Sequence, residues 1–219
     1  MGLTSFYKLI DNKIISFLSN KYNPKYNILI CFVDGNKHFS KTKNITKIDI
    51  GNAVYFKENI IELNNKLSPN KYNIINIRFS LEYFFKNTND LTLLIQFLNE
   101  HLSESGYLIS YVINQSKLNA NFIYGNNSIG KYLFTPKYDL TDSYHCYGNQ
   151  IEVGREPLTD NIYAVDMDET TKKLNEINIK YLGKIKFSSF AQKYFEYGGY
   201  LAYDDLKVIL LCDVYLFYK

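Results

Sequence analysis

Lys71–Asn114 reads KYNIINIRFSLEYFFKNTNDLTLLIQFLNEHLSESGYLISYVIN, and this stretch decides the fold. Tyr72–Phe79 is an apolar, β-branched run of buried-strand length. Arg78–Phe85 interrupts it with a charge, a hydroxyl, an acid and aromatic rings. Leu91, Leu94, Ile95, Leu98 and Leu102 then recur at helical spacing, with Asp90 as the expected N-cap. Ser103–Gly106 is expected to stop that helix, with Gly106 in the left-handed conformation such stops often need. Tyr107–Ile113 is a second apolar strand. Strand, helix and strand make a right-handed βαβ unit. Ligands of such sheets bind beyond the carboxyl ends of the parallel strands, so Arg78–Phe85 holds the first site candidates.

Towards the N-terminus, Phe6, Leu9, Ile10, Ile14, Phe17 and Leu18 share one face of a helix over Leu3–Leu18. Ser19–Lys25 is the turn out of it. Ile28–Val33 is a buried strand closed by the turn Asp34-Gly35-Asn36. Ile45–Ile50 is a short strand carrying Asp49 near its end. Twenty-two residues separate Asp49 from Tyr72. One crossover takes a dozen residues or more. Val54–Leu67 therefore supplies one short helix, or a strand with a short helix.

Towards the C-terminus, Phe122–Tyr124, Ile129–Phe134 and Gln150–Val153 are short strand candidates. Asp168–Ile177 is a short helix capped by Asp166 or Asp168. Ile179–Phe187 is a strand, Phe190–Phe195 begins a mobile or helical connection, and Val208–Tyr218 is the closing strand. Tyr194–Tyr203, YFEYGGYLAY, is aromatic around a glycine pair. It reads as a buried or protein-contact segment, with stacking on single-stranded RNA as the other reading.

The chain of 219 residues is long enough for one domain with a sizeable core, and 46% hydrophobic residues place it among globular proteins. Net charge is +3, without the clustered basic footprint of a strong nucleic-acid binder. Cys31, Cys146 and Cys212 are far apart and lack metal-ligand spacing, so neither zinc nor a disulfide framework is expected. His38, His101 and His145 are scattered and read as structural or surface residues. No metal, no membrane span and no signal peptide is expected, and an intracellular, cytoplasmic, reducing setting fits.

Phe79-Ser80-Leu81-Glu82-Tyr83-Phe84-Phe85, followed by a helix and Leu102-Ser103-Glu104-Ser105-Gly106-Tyr107, resembles the mRNA cap guanine-N7 methyltransferases. The likeness is to the domain found in capping enzymes of poxviruses and other large DNA viruses. It covers roughly Tyr26–Lys219, and Phe217-Tyr218-Lys219 fits the family's ending. Over-use of Asn, Ile, Lys and Tyr, all encoded by A/T-rich codons, agrees with such a source. The resemblance implies a single α/β domain with a Rossmann-like class I methyltransferase sheet. That sheet would be mostly parallel, with an antiparallel terminal strand, and shortened in its cofactor-binding half. Residues 1–25 would form an N-terminal helix and turn, and residues 115–163 a β-rich insertion.

For S-adenosylmethionine the resemblance implies Asp34, Gly35, Asp49 and Phe79. The family's D-x-G-x-G-x-G loop stands here as Cys31–Lys37, with Gly35 as its one remaining glycine and Asp34 able to stand in for the leading acid. Asp49 falls where the family holds the ribose, and it also reads as an ordinary strand-end cap. For the cap it implies Glu82, Tyr83 and Asp160, with Cys212 where the family carries a stacking tyrosine. Transfer to guanine N7 needs placement more than acid–base help, so no catalytic residue is assigned. The altered loop and shortened half point to a non-catalytic partner of a capping or transcription protein, with no cofactor. An active S-adenosylmethionine-dependent enzyme acting on capped RNA is the alternative, and an RNA-binding module the second.

Overall fold

The Lys71–Asn114 stretch folds as the expected strand–helix–strand unit in a computed structural model. The structure describes residues 3–19, 28–32, 45–49, 60–67, 69–140, 146–155 and 158–219. Its elements are α1 (Leu3–Ser19), β1 (Ile28–Phe32), β2 (Ile45–Asp49), α2 (Ile60–Leu67), β3 (Tyr72–Arg78) and α3 (Leu81–Phe84). There follow α4 (Thr88–His101), β4 (Leu102–Ile113), α5 (Gln115–Ile123), β5 (Ser128–Ile129), β6 (Tyr132–Pro136) and β7 (Gln150–Arg155). The chain closes with β8 (Leu158–Tyr163), α6 (Met167–Glu176), β9 (Lys180–Lys186), α7 (Phe187–Glu196), α8 (Tyr203–Leu210) and β10 (Cys212–Tyr218).

Six strands form the main sheet in the order β2-β1-β3-β4-β10-β9. The first four run parallel, and β10 is antiparallel to both of its neighbours. β5–β8 form a second, antiparallel sheet. Strand alternation splits the core in two. Ile74, Ile109, Tyr111 and Val214 face α1, α7, α8 and the second sheet. Ile75, Ile77, Leu108, Val112 and Phe217 face α2, α4 and α6. Between Asp49 and Tyr72 the described residues hold one helix, α2, and residues 50–59 and 68 lie outside them.

Several local expectations change. Asn87, not Asp90, caps α4, its side chain accepting from the Asp90 N–H at 3.0 Å. Asp90 is turned inward and buried. Helix α4 ends at His101, and β4 starts at once, with a bulge between its pairings Tyr72↔Leu102 and Ile74↔Tyr107. Ser105, not Gly106, takes the left-handed backbone, at φ 65°. Gly106 answers a close approach instead: a Cβ there would lie 2.7 Å from the Ser103 carbonyl oxygen. Residues 122–123 end helix α5 rather than forming a strand, because Asn114 caps that helix and Leu118 and Phe122 bury one side of it. Val208–Leu210 belong to α8, and the last strand begins at Cys212. Phe17 is exposed, while Phe6, Ile10, Ile14 and Leu18 carry the buried face of α1.

A buried polar cluster fastens α1 to the sheet. Asp11 sits on the inner side of the helix and forms an ion pair with Arg78, at the end of β3. Its Oδ1 accepts from Tyr111 at 2.5 Å and from Asn76 at 3.1 Å. Burial pushes the Asp11 carboxyl upward, and the Arg78 guanidinium and the Tyr111 hydroxyl pull it back down. Removing one partner strands a buried charge, which costs about 3–5 kcal/mol. Arg78→Met should therefore lower unfolding stability by that amount in urea titration, while Asp11→Leu combined with Arg78→Met should recover most of the loss.

Candidate functional site

The carboxyl ends of three parallel strands lie level, with Phe32 opposite Asp49 on one side and Arg78 on the other. Asp49 thus ends β2 where the sequence placed it, although its side chain lies outside the described residues. Asp34 and Gly35 lie outside them altogether, as do His38 and His145.

After Arg78 the chain bends sharply. Phe79 adopts φ 49°, a left-handed backbone that costs a bulky residue about 1–3 kcal/mol. Its N–H donates to the Tyr111 carbonyl at 2.9 Å. Its ring centroid lies 5.7 Å from Tyr7, 6.0 Å from Phe187 and 6.1 Å from Tyr111. Phe79 is therefore half-buried among aromatics of α1, β4 and α7, and Ser80–Phe85, the first site candidates, are buried.

That bend delivers α3 against the end of β4. Glu82 is only 3% exposed, and its Oε1 accepts from the Ile113 N–H at 2.9 Å. Its Oε2 has no hydrogen-bond partner. Burial pushes the Glu82 carboxyl up to about 7, opposed by the backbone donor at Ile113. Tyr83 donates its hydroxyl to Asp160 Oδ2 at 2.6 Å, joining α3 to β8. Burial and then Asp160 raise the Tyr83 phenol above its ordinary range. Cys212 stands in register with Ile113 and its thiol reaches the Val208 carbonyl at 3.3 Å. Burial, and secondarily the charge of Glu82, push that thiol up.

Glu82, Tyr83, Asp160 and Cys212, scattered in the chain, are thus gathered around the end of β4. Each of the two acids has a donor of its own, Tyr83 for Asp160 and the Ile113 N–H for Glu82. The arrangement offers one buried acceptor, Glu82 Oε2, and a titratable carboxyl near neutral pH. An unmatched buried acceptor of this kind is satisfied by a proton or by a donor on a ligand. Among the described residues no group of His, Cys, Asp and Glu could hold a metal, and no helix is long and apolar enough to cross a membrane. His101 is buried, its ring nitrogens 3.0 Å from the Asn70 carbonyl and 2.6 Å from Asn64 Oδ1.

Sequence reasoning missed two features. Asp11 lies beside Ile10 on the apolar face of α1, and an acid in that stripe was the available signal. The other is an open cleft of about 450 Å³ at the end of β4, lined by Asn114, Gln115, Asn119, Asp166, Lys184 and Tyr215. Behind it Asp213 is fully buried, with Lys117 Nζ at 2.9 Å and Asn114 Nδ2 at 2.6 Å. No local pattern marked this cleft, since its walls come from five separate elements.

No known protein-family profile matches the chain, and no curated protein sequence does. Solved structures do resemble it. An S-adenosylmethionine-dependent methyltransferase from Clostridium acetobutylicum ATCC 824 matches with a TM-score of 0.56 and 14% identity over 97% of this chain and 91% of that one. The CcbJ methyltransferase from Streptomyces caelestis matches at 0.51 and 9% identity over 94% of each chain. The glycopeptide N-methyltransferase MtfA, complexed with S-adenosyl-L-homocysteine, matches at 0.50 and 12% identity over 95% and 89%. The chain has the Rossmann-like fold of class I S-adenosylmethionine-dependent methyltransferases.

Glu82 makes stability depend on pH with a defined sign. Its folded pKa lies above the unfolded value, so the protonated form favours folding, and stability falls as pH rises from about 4.5 to about 7. The loss should reach about 3 kcal/mol. Glu82→Gln should flatten that slope in urea titrations run across this pH range.

Proposed function

We propose that the protein is a methyltransferase-fold subunit of the mRNA cap guanine-N7 type, acting without chemistry as a partner or stimulator of a capping or transcription protein. One observation supports this reading: the residues that the family resemblance assigns to the cap are buried or bonded within the chain itself. Tyr83 is bonded to Asp160 at 2.6 Å, Glu82 is buried against the Ile113 N–H, and Cys212 is buried where the family stacks a tyrosine. A cap base would have to break these contacts before gaining its own. Support also comes from the short interval between Asp49 and Tyr72 and from the single glycine at Gly35. Isothermal titration of the purified chain with S-adenosylmethionine and S-adenosylhomocysteine should show no micromolar binding. Micromolar binding of either overturns the proposal.

The second reading, an active S-adenosylmethionine-dependent enzyme on capped RNA, is favoured by Glu82 Oε2. That unpartnered acceptor suits the N1–H and amino group of guanine. On this reading Asp34, Gly35, Asp49 and Phe79 hold the cofactor, which would supply the methyl sulfonium. The chain's own contribution is to orient the base through Glu82, Tyr83 and Asp160. Methyl transfer to capped RNA should then be measurable and be abolished by Asp49→Ala. A protein inert alone and with a candidate partner present excludes it.

A further inference from the structure

The segment joining α7 to α8 is held rigidly yet presents its rings outward. Tyr194 and Leu201 are buried, and the Tyr194 ring lies 5.6 Å from Phe6. The turn is locked by Gly198 at φ 73° and by the Gly199 N–H donating to the Tyr194 carbonyl at 2.9 Å. Between and beyond these anchors Tyr197, Tyr200 and Tyr203 are 68%, 70% and 71% exposed.

Lysines stand over two of those rings. Lys13 Nζ lies 5.4 Å from the Tyr197 centroid and Lys207 Nζ 4.4 Å from that of Tyr203. Helices α1, α7 and α8 together carry four lysines and four acids, and two of those acids are paired with cations from elsewhere in the chain. The lysines are Lys8 and Lys13 on α1, Lys193 on α7 and Lys207 on α8, and the acids outside those two pairs are Glu196 and Asp204. Asp205 is paired with Lys131, and Asp11 is buried against Arg78. A protein hot spot concentrates its aromatics into one contiguous, charge-poor centre. Here the rings are set apart by glycines and interleaved with ammonium groups. That is the chemistry of a chain whose bases stack while its phosphates are neutralised.

We propose that this surface binds single-stranded nucleic acid, with Tyr197, Tyr200 and Tyr203 as stacking plates and Lys13 and Lys207 as phosphate contacts. Bases displace the two ammonium groups from the ring faces, and the lysines turn to the backbone. Duplex is excluded because its bases offer no free π-face. The inference is independent of the capping reading, since it needs neither a cap nor S-adenosylmethionine.

Fluorescence anisotropy with labelled oligouridylate of about 20 nucleotides tests it. Micromolar binding is expected at about 50 mM salt, weakening as salt rises. The triple variant Tyr197→Ala, Tyr200→Ala, Tyr203→Ala should lose at least about tenfold in affinity while keeping its circular dichroism and unfolding midpoint. Lys13→Gln with Lys207→Gln should reduce the log–log salt slope by about 1.4. Absence of binding at low salt, equal binding by the triple variant, or equal affinity for a duplex of the same length each overturns the proposal. So does sedimentation showing that the same tyrosines drive self-association unaffected by the oligonucleotide.

Discussion

The ion pair between Asp11 and Arg78 is the contact on which the rest of the site depends. It joins the first helix to the end of the central strand β3, across 67 positions of sequence. Its burial makes it a register device more than a source of stability. A charge taken out of water must find its partner in place, so the helix can settle on the sheet in one position. Tyr111 and Asn76 complete the cluster from β4 and β3. With α1 so fixed, Phe6 and Tyr7 meet Phe187 at 6.1 and 6.2 Å, and Tyr7 meets Phe79.

That aromatic packing in turn holds the unfavourable backbone at Phe79. The bend there redirects the chain from strand into α3, and so decides where Glu82 and Tyr83 point. The second sheet then fixes them. β8 brings Asp160 to the Tyr83 hydroxyl, and the β4–β10 pairing brings Cys212 beside the Ile113 N–H that Glu82 accepts from. The sheet has the methyltransferase fold, and at its β4 end the hydrogen bond of Glu82 and the open cleft meet at Ile113. Glu82 Oε2 remains there as a buried acceptor without a hydrogen-bond partner.

Strands β1 to β3 could be read within a residue or two, whereas β4 begins at Leu102, five residues before the expected Tyr107. The apolar residues of the strands and of helix α4 follow periods of two and 3.6, which are properties of the local chain. The misreadings share a cause. Asn87 displaced Asp90 as a cap because both are good caps three residues apart, and the inward burial of Asp90 settled the choice. Phe122–Tyr124 looked like strand because the helical partner of Phe122 is Leu118, a single apolar residue in a polar run. Gly106 looked like a helix stop, but α4 passes directly into β4, and glycine was needed there for space.

By itself the sequence determined the alternation of strands and helices over residues 71–114 and the small number of residues between Asp49 and Tyr72, while its family resemblance supplied the antiparallel last strand and the residues worth suspecting. The first two are consequences of local periodicity and of counting. Only the tertiary structure decided that Glu82 is buried with one oxygen unmatched, that Tyr83 is tied to Asp160, that Asp11 neutralises Arg78, and that three tyrosines of the α7–α8 segment face water. Each of these depends on groups 31 to 77 residues apart meeting in space, or on which side of an element is left uncovered. Burial and charge pairing are properties of such meetings, and no window of neighbouring residues contains them.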